Sequence, residues 1–305
     1  MGETSALAGR RAVARVPATS ANLGPGFDAF GLCLSLYDDL AVTTTTSGLV
    51  VEISGQGAER VPTDEHHLVV RALRATFDTM GVDQPGLSLA SENRIPHGRG
   101  LGSSAAAIVA GIRLAQALVP GHGMSEQASL SLAHAIEGHP DNVAACLLGG
   151  FTIAWTDDIG ARAARLDVDD RIRVAAFVPT EPLSTVAARG LLPGQVSHAD
   201  AAVNAGRSGL LVAALTRQPE LLLDATEDRL HQRFRGSAMP RSLRLVEELR
   251  AASVAAVISG AGPTVLAIGT GDVWTRVQPL VPATWQALEL NVDPHGAVVH
   301  SVSSP

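Results

Sequence analysis

The stretch RIPHGRGLGSSAAAIVAG, residues 94–111, limits the folds open to this chain more than any other segment. It places Gly98, Gly100 and Gly102 at alternate positions and then runs without a break into an alanine-rich segment. Alternating glycines permit a backbone at positive φ that comes close to a ligand, and the alanine-rich run predicts a helix beginning near Ser103. The first turn of a helix has amides with no partner inside the helix and carries the positive end of the dipole, so it can hold an anion. Gly98, Gly100 and Gly102, with the amides of Ser103, Ser104 and Ala105, therefore read as a phosphate cradle, beside the plainer reading of a flexible loop capped by serine. Neither common phosphate loop fits. A Walker loop needs a lysine, and all 23 basic residues of this chain are arginine. A dinucleotide turn needs the spacing GxGxxG, which RGLGSSAAA lacks.

A chain of 305 residues with 46% hydrophobic content can bury two cores. The formal charge of −7, with scattered arginines, argues against nucleic acid or an anionic membrane as partner. Cys33 and Cys146 are too few for a disulfide framework and lie in no metal-binding spacing. With no long apolar run and no apolar signal core at the start, the expectation is a cytoplasmic protein.

Periodicity predicts a strand over 11–16 and two β-branched strands over 39–54, joined at Ser47–Gly48, with the turn formers of PATSANLGPGFD, residues 17–28, as a loop between them. Leu68, Val69, Ala72, Leu73, Thr76, Phe77 and Met80 recur at helical spacing after Asp64, a candidate cap. GLSLASEN alternates as a strand and leads into the glycine loop. Helices are predicted over 103–118 and over 125–137, the second capped by Ser125, and Pro140 opens a short helix that stops at Gly149–Gly150. The second half reads as an apolar strand over 172–179, helical segments over 184–251 broken at Pro193, Pro219 and Pro240, two strands within VAAVISGAGPTVLAIGTG, a short helix near 273–280 and a strand in WQALELNV. That order predicts an α+β sandwich on an antiparallel sheet. The polar stretch 157–170 marks the boundary, giving units of 1–165 and 166–305.

HAIEGHPDNVAA gathers Glu137, His139, Asp141 and Asn142 around a helix break. A carboxylate such as Glu137 with a serine hydroxyl suits magnesium in phosphoryl transfer, while Asp and Asn at a helix start also serve as caps. Asn22 and Asp28 in PATSANLGPGFD, and the glycines of ISGAGPTV, have turn chemistry as their alternative reading. Arg189 and Arg235 read either as surface charges or as the forks that grip a carboxylate.

Three segments in order, PATSANLGPGFD, IPHGRGLGSSAAA and SGAGPTV, resemble the motifs of the GHMP kinases, and EGHPDNVAA, LSTVAARGLLP and DRLHQRFR narrow the resemblance to the homoserine kinase branch. The likeness runs over nearly the whole chain. It implies a two-domain α+β fold, with a mixed α/β N-terminal domain built around a left-handed-type βαβ phosphate loop and a ferredoxin-like C-terminal sandwich. It also implies transfer of phosphate from ATP, with Mg2+, to the side-chain hydroxyl of L-homoserine on the way to threonine. It allows a homodimer.

Carried over position by position, Pro96, His97, Gly98, Arg99, Gly100, Leu101, Gly102, Ser103, Ser104, Ala105 and Ala106 match the ATP-binding loop. Ser104 and Glu137 match the magnesium side. Asp28 matches the group that holds the substrate ammonium, and Arg189 and Arg235 match the pair on its carboxylate. Asn22, His139, Asp141 and Gly262 fall among the substrate-binding positions, and Asn142 and Thr185 lie near the reactive hydroxyl. Mevalonate-type relatives use a lysine and an aspartate at the attacking hydroxyl; this chain has no lysine and offers Asn142, so the resemblance implies positioning and charge neutralisation in place of a dedicated base. Arg233 where many relatives have proline, and Ala261 where serine is frequent, touch only fine positioning. Two other functions stand beside this one: a GHMP kinase for another small alcohol, for which the Asp28, Arg189 and Arg235 clamp has no use, and a non-catalytic nucleotide-binding regulator, whose mark is loss of Glu137 or the serines.

Overall fold

A computed structural model of the chain describes residues 7–119 and 121–303. These residues form a seven-stranded and a four-stranded sheet, with helices packed against both. β1 (Arg11–Asn22) and β2 (Gly26–Thr45) make a long antiparallel pair at the centre of the first sheet. The segment PATSAN, expected as loop, is the second half of β1. Its small residues Ala18, Thr19, Ser20 and Ala21 are almost wholly buried, and the proline that argued against a strand sits at a register shift between Pro17 and Ala18. A bulge is where a strand tolerates proline.

β2 is long enough to serve two neighbours. Its later half pairs with β4 (Gly86–Asn93), which runs parallel to the edge strand β3 (Leu49–Gly55), and Phe30–Leu32 pair with β5 (Phe151–Asp157). Helix α1 (Leu68–Met80) makes the crossover from β3 to β4. It starts after His67, which gives no side-chain cap; Asp64, the expected cap, instead accepts from the amides of His66 and His67 in the turn before it. α2 (Ser103–Leu118) lies in the core, and Gly111 lets α1 approach so closely that a Cβ there would sit 2.6 Å from the Cβ of Ala72. α3 (Glu126–Glu137) begins at the expected cap, Ser125 Oγ accepting from Ala128 N, and α4 (Asp141–Leu148) follows Pro140 and ends at Gly149.

Three strands of this sheet went unread in the sequence. β5 forms a hairpin with β6 (Gly160–Leu166), so the polar stretch taken as a boundary is partly an outer strand whose Ala161 and Ala163 reach the core. β11 (Val298–Ser303) returns from the C-terminal end of the chain to pair with β1. Short outer strands with exposed faces carry weak alternation, which explains the omission.

The second sheet has the order β10-β7-β9-β8 and is antiparallel throughout, as a ferredoxin-like sandwich requires. Its strands are β7 (Ile172–Val178), β8 (Ala255–Ile258), β9 (Val265–Thr270) and β10 (Gln286–Leu290). Between β7 and β8 run α5 (Thr185–Arg189), α6 (His198–Thr216), α7 (Leu222–Ala225), α8 (Gln232–Arg235) and α9 (Pro240–Ala251); α10 (Val273–Val277) precedes β10. Among the described residues, no helix is long and apolar enough to cross a membrane.

One close approach links this frame to chemistry. A Cβ on Gly31 of β2 would stand 2.4 Å from the carbonyl oxygen of Asp141 and 2.9 Å from the Cβ of Ala145, so glycine there allows the start of α4 to rest on the strand. Gly31→Ala is expected to lower stability by about 1–3 kcal/mol, the usual range for overpacking a tight core, as measured by urea unfolding. An unchanged urea midpoint would show that α4 shifts without cost.

Candidate active site

The glycine loop is fixed by its carbonyls. Before it, Asp38 Oδ1 accepts from the amides of Arg94 and Ile95 at 2.6 and 2.8 Å. Burial pushes the Asp38 carboxyl up to about 6. Within the loop, Gly98 O accepts from Leu183 N at 2.9 Å, Gly100 O from Ser259 Oγ at 2.5 Å and Leu101 O from Thr19 N at 3.1 Å. Gly100 and Gly102 hold φ of 74° and 70°. With its carbonyls engaged in the protein, the loop delivers α2 with the amides of Ser103, Ser104 and Ala105 free of intrahelical partners. The Arg99 guanidinium is spent on the carbonyls of His97, Pro179 and Thr180.

A cavity of about 290 Å³ opens over this helix start. Gly98, Arg99, Gly100, Gly102, Ser103 and Ser104 line it from one side, and Glu137, His139, Asp141 and Asn142 from another. Of the loop residues expected at the nucleotide, the side chains of Leu101, Ala105 and Ala106 lie in the core, Pro96 is buried, and His97 lines two neighbouring cavities. Ser104 Oγ donates to Glu137 Oε1 at 2.6 Å. Glu137 ends α3, and burial raises its carboxyl above the ordinary value. Gly138 then turns the chain at φ 93° and brings the following residues to the cavity.

Asp141 is buried and accepts from Asn142 N at 2.7 Å, with His139 Nδ1 at 3.2 Å. That hydrogen bond raises the His139 pKa. Asn142 Oδ1 accepts from Thr19 Oγ1 at 2.9 Å, which fixes which end of the amide faces the protein. Thr19 went unread because it lay in the stretch taken for a turn.

The same cavity is also lined by Asn22, Asp28, Arg189 and Arg235. Asn22 is 4% exposed and both ends of its amide are used: Oδ1 accepts from Asp28 N at 2.9 Å and Nδ2 donates to Gly260 O at 2.8 Å. It holds Asp28 in the left-handed region, at φ 54°. The Asp28 carboxylate meets Arg189 through two bonds, at 2.9 and 2.6 Å.

Arg235 is 1% exposed, and its Nε has no partner. Its Nη1 has only Gly260 O at 3.3 Å and His231 Nδ1 at 3.2 Å. Among the described residues no carboxylate lies within ion-pair distance of it, and burial lowers its pKa. His231 Nε2 donates to Gly24 O at 2.8 Å, so Nδ1 is the acceptor for Arg235. Phe27 backs the group, with the His231 ring stacked at 5.2 Å and the guanidinium carbons of Arg235 and Arg189 at 5.4 and 5.8 Å from its centroid.

Thr185, first in α5, lines the cavity beside Leu183 and Ser184. Gly262 does not line it; the position is held by Gly260 and Ala261, while Gly262 packs against Met239. A second cavity of about 200 Å³ shares Ser103 and Ser104 and extends between Leu40, Val61, Leu68, Val69, Asn93 and His97. Its apolar lining was not read as a pocket in the sequence, where Leu68 and Val69 showed only as helix-period residues, since apolar residues carry no motif that separates pocket from core.

The cavity thus combines free helix amides, the Ser104–Glu137 oxygen pair, a buried cation without an ion-pair partner and the Asp28–Arg189 pair. Comparison with known proteins agrees. GHMP kinases N terminal domain matches residues 67–150 and GHMP kinases C terminal matches residues 210–273. The homoserine kinase of Streptomyces coelicolor is 57% identical over 287 residues, covering 93% of each chain. That of Clavibacter michiganensis is 52% identical over 306 residues, covering 98% of this chain and 97% of its own. The crystal structure of homoserine kinase from Cytophaga hutchinsonii superposes with a TM-score of 0.82 at 26% identity, covering 95% and 97% of the two chains. A mevalonate diphosphate decarboxylase from Enterococcus faecalis, at 15% identity and a TM-score of 0.66 over 95% and 98%, shares the fold.

The raised Glu137 carboxyl has a consequence for stability. A folded-state value above the unfolded one means that the folded protein holds the proton more tightly, so the penalty is absent below the ordinary value of 4.5 and grows as pH rises through the raised one. Glu137→Gln is therefore expected to unfold at higher temperature than the parent at pH 7 and at the same temperature below the ordinary carboxyl range. Equal melting temperatures at both pH values would mean that the burial of Glu137 carries no cost.

Proposed function

The chain belongs to the homoserine kinases of the GHMP kinase family, and on that premise we propose how its residues carry out the reaction. The enzyme transfers phosphate from ATP to the side-chain hydroxyl of L-homoserine. The observation that carries our assignment is the buried Arg235, without a carboxylate partner, lining the same cavity as the glycine loop that leads into the free amides of α2. A buried charge without a partner is costly, and a substrate carboxylate supplies one. The nucleotide phosphates take the helix start, and the second cavity, which shares Ser103 and Ser104, takes the adenosine; its apolar walls with Asn93 at the rim suit a base.

Ser104 and Glu137 fit magnesium. They present hard oxygen donors 2.6 Å apart beside the phosphate end, and magnesium prefers few protein ligands with the rest from phosphate and water. When bound, the ion neutralises charge on the phosphates. The residues' own work is alignment: Thr19 fixes the Asn142 amide, and Asn142 and Thr185 hold the hydroxyl in line. The hydroxyl oxygen bonds to the γ-phosphorus as the bond to ADP breaks, and its proton passes to a phosphoryl oxygen. His139, whose hydrogen bond to Asp141 favours its protonated form, stands beside the aligned groups.

We divide the chain between a nucleotide side, 1–165, and a substrate side, 166–305; β1 to β6 in one sheet and β7 to β10 in the other support this, with β11 crossing back. Free thiols at the buried Cys33 and Cys146 support a cytoplasmic place.

A coupled ADP-release assay with L-homoserine, against homoserine-free and mevalonate controls, tests the reading. Ser104→Ala and Glu137→Gln should lower kcat by about a hundredfold with little change in homoserine binding, the scale of losing one preorganised electrostatic group. Full turnover in both at saturating magnesium would remove the metal assignment. Arg235→Lys keeps charge but loses the fork, so KM for homoserine should rise while KM for ATP holds. Asn142→Ala should lower the kcat–pH curve without changing its shape, because an amide has no ionisation to lose. A pK near neutrality that disappears in His139→Ala, together with turnover, would make His139 the base.

A further inference from the structure

Asp28 and Arg189, which the proposed reading sets on opposite charges of the substrate, are here bonded to each other. Both carboxylate oxygens and both terminal guanidinium nitrogens are used, at 2.9 and 2.6 Å, so neither group has its full bonding capacity free for a ligand. Arg235, in the same cavity, has no such partner among the described residues. The three charged groups are thus unequal: Arg235 has no ion-pair partner, and Arg189 is held by Asp28, one of three carboxylates in the lining with Glu137 and Asp141. Both partners are about a third exposed, so the pair is reachable from the cavity and costs little to open.

We infer that the Asp28–Arg189 pair is an internal stand-in for a zwitterion, opened by exchange, and that this exchange makes the site select ligands carrying an ammonium and a carboxylate together. The inference rests on the proposed homoserine site. A carboxylate first meets Arg235. The substrate ammonium then replaces the guanidinium at Asp28, and the released Arg189 joins Arg235 on the carboxylate. One ion pair is traded for an ammonium on Asp28 and a carboxylate shared by two guanidiniums, so every charged group keeps a partner of opposite sign. A ligand with the carboxylate alone must leave Asp28 unpaired to gain Arg189, and a ligand with the ammonium alone must leave Arg189 unpaired to gain Asp28. Each half-ligand therefore loses more than the contact it lacks.

This differs from a site in which the groups act independently, because removing one partner should help the wrong half-ligand. With β,γ-imido-ATP and magnesium present, titration calorimetry on the parent, D28N and R189Q would use L-homoserine, 4-hydroxybutyrate, which lacks the ammonium, and 3-aminopropan-1-ol, which lacks the carboxylate. D28N should bind homoserine about tenfold or more weaker, the loss of a charged hydrogen-bond partner. It should bind 4-hydroxybutyrate about threefold tighter than the parent does, the scale of one partly exposed ion pair no longer to be broken. R189Q should show the mirror gain for 3-aminopropan-1-ol.

Either variant decides the matter if the other does not fold. Half-ligand affinities that stay the same or fall in the folded variants overturn the exchange, even where the parent turns over homoserine normally. A parent that does not phosphorylate homoserine overturns the underlying reading instead.

Discussion

The glycine loop can present its amides only because its carbonyls are bound elsewhere, and the groups that bind them come from both sheets. Thr19 belongs to β1 of the first sheet; Leu183, Ser259 and Thr264 follow or join strands of the second. The fit is close enough that a Cβ on Gly100 would lie 2.2 Å from Ser259 O and one on Gly102 would lie 2.0 Å from Thr19 Oγ1. The phosphate end of the cavity is therefore a product of assembling the two halves and is not a property of the loop alone. This also gives a physical reason for the small side chains along the end of β1: Ser20 Oγ meets Ser259 Oγ at 2.9 Å, a distance that larger residues would not allow.

The two ends of the cavity manage charge differently. Beside the start of α2 the Arg99 guanidinium is engaged by carbonyls, so the positive potential there comes from the helix amides. Backbone dipoles are fixed before the reaction and need no reorganisation as charge moves during transfer. Around Asp28, Arg189 and Arg235, full charges are present instead. The cost of burying Arg235 is met by contacts that do not neutralise it: a carbonyl, the lone pair of neutral His231 and the face of Phe27. Those contacts orient the guanidinium and leave its charge for the ligand.

What the sequence made legible follows from how local each signal is. Helices α1, α2 and α3 show through because their periodicity, the Ser125 cap and the glycine at position 138 lie within the element itself. The glycine loop shows because its dihedral demands are local too. Arg235 as a buried cation, the Phe27 platform and the tautomer of His231 do not show, since each depends on groups that meet only after the sheets assemble. β5, β6 and β11 were hidden for other reasons: β11 and β5 pair with strands far along the chain, and β6 and β11 leave most of their residues at least partly exposed, so alternation is weak. Gly262 shows how coarse a motif is: its segment reaches the cavity through Gly260 and Ala261, while Gly262 is not among the lining residues.

PATSANLGPGFD was read as turn chemistry and as a binding motif, and in the folded protein the two descriptions concern the same atoms. Asn22, Leu23 and Asp28 all hold positive φ, which non-glycine residues adopt at some cost. Asparagine and aspartate tolerate that region better than most, and so they are at once the residues a sharp turn selects and the ones it can aim. Asn22 converts the tolerance into geometry by bonding Asp28 N with one end of its amide and Gly260 O with the other, tying the turn of the first sheet to the loop of the second. Gly260 O also accepts from Arg235. The acid and the buried cation of the amino-acid end are thus referred to one carbonyl, and their separation is set by backbone and an amide side chain rather than by the long, flexible arms that carry the charges.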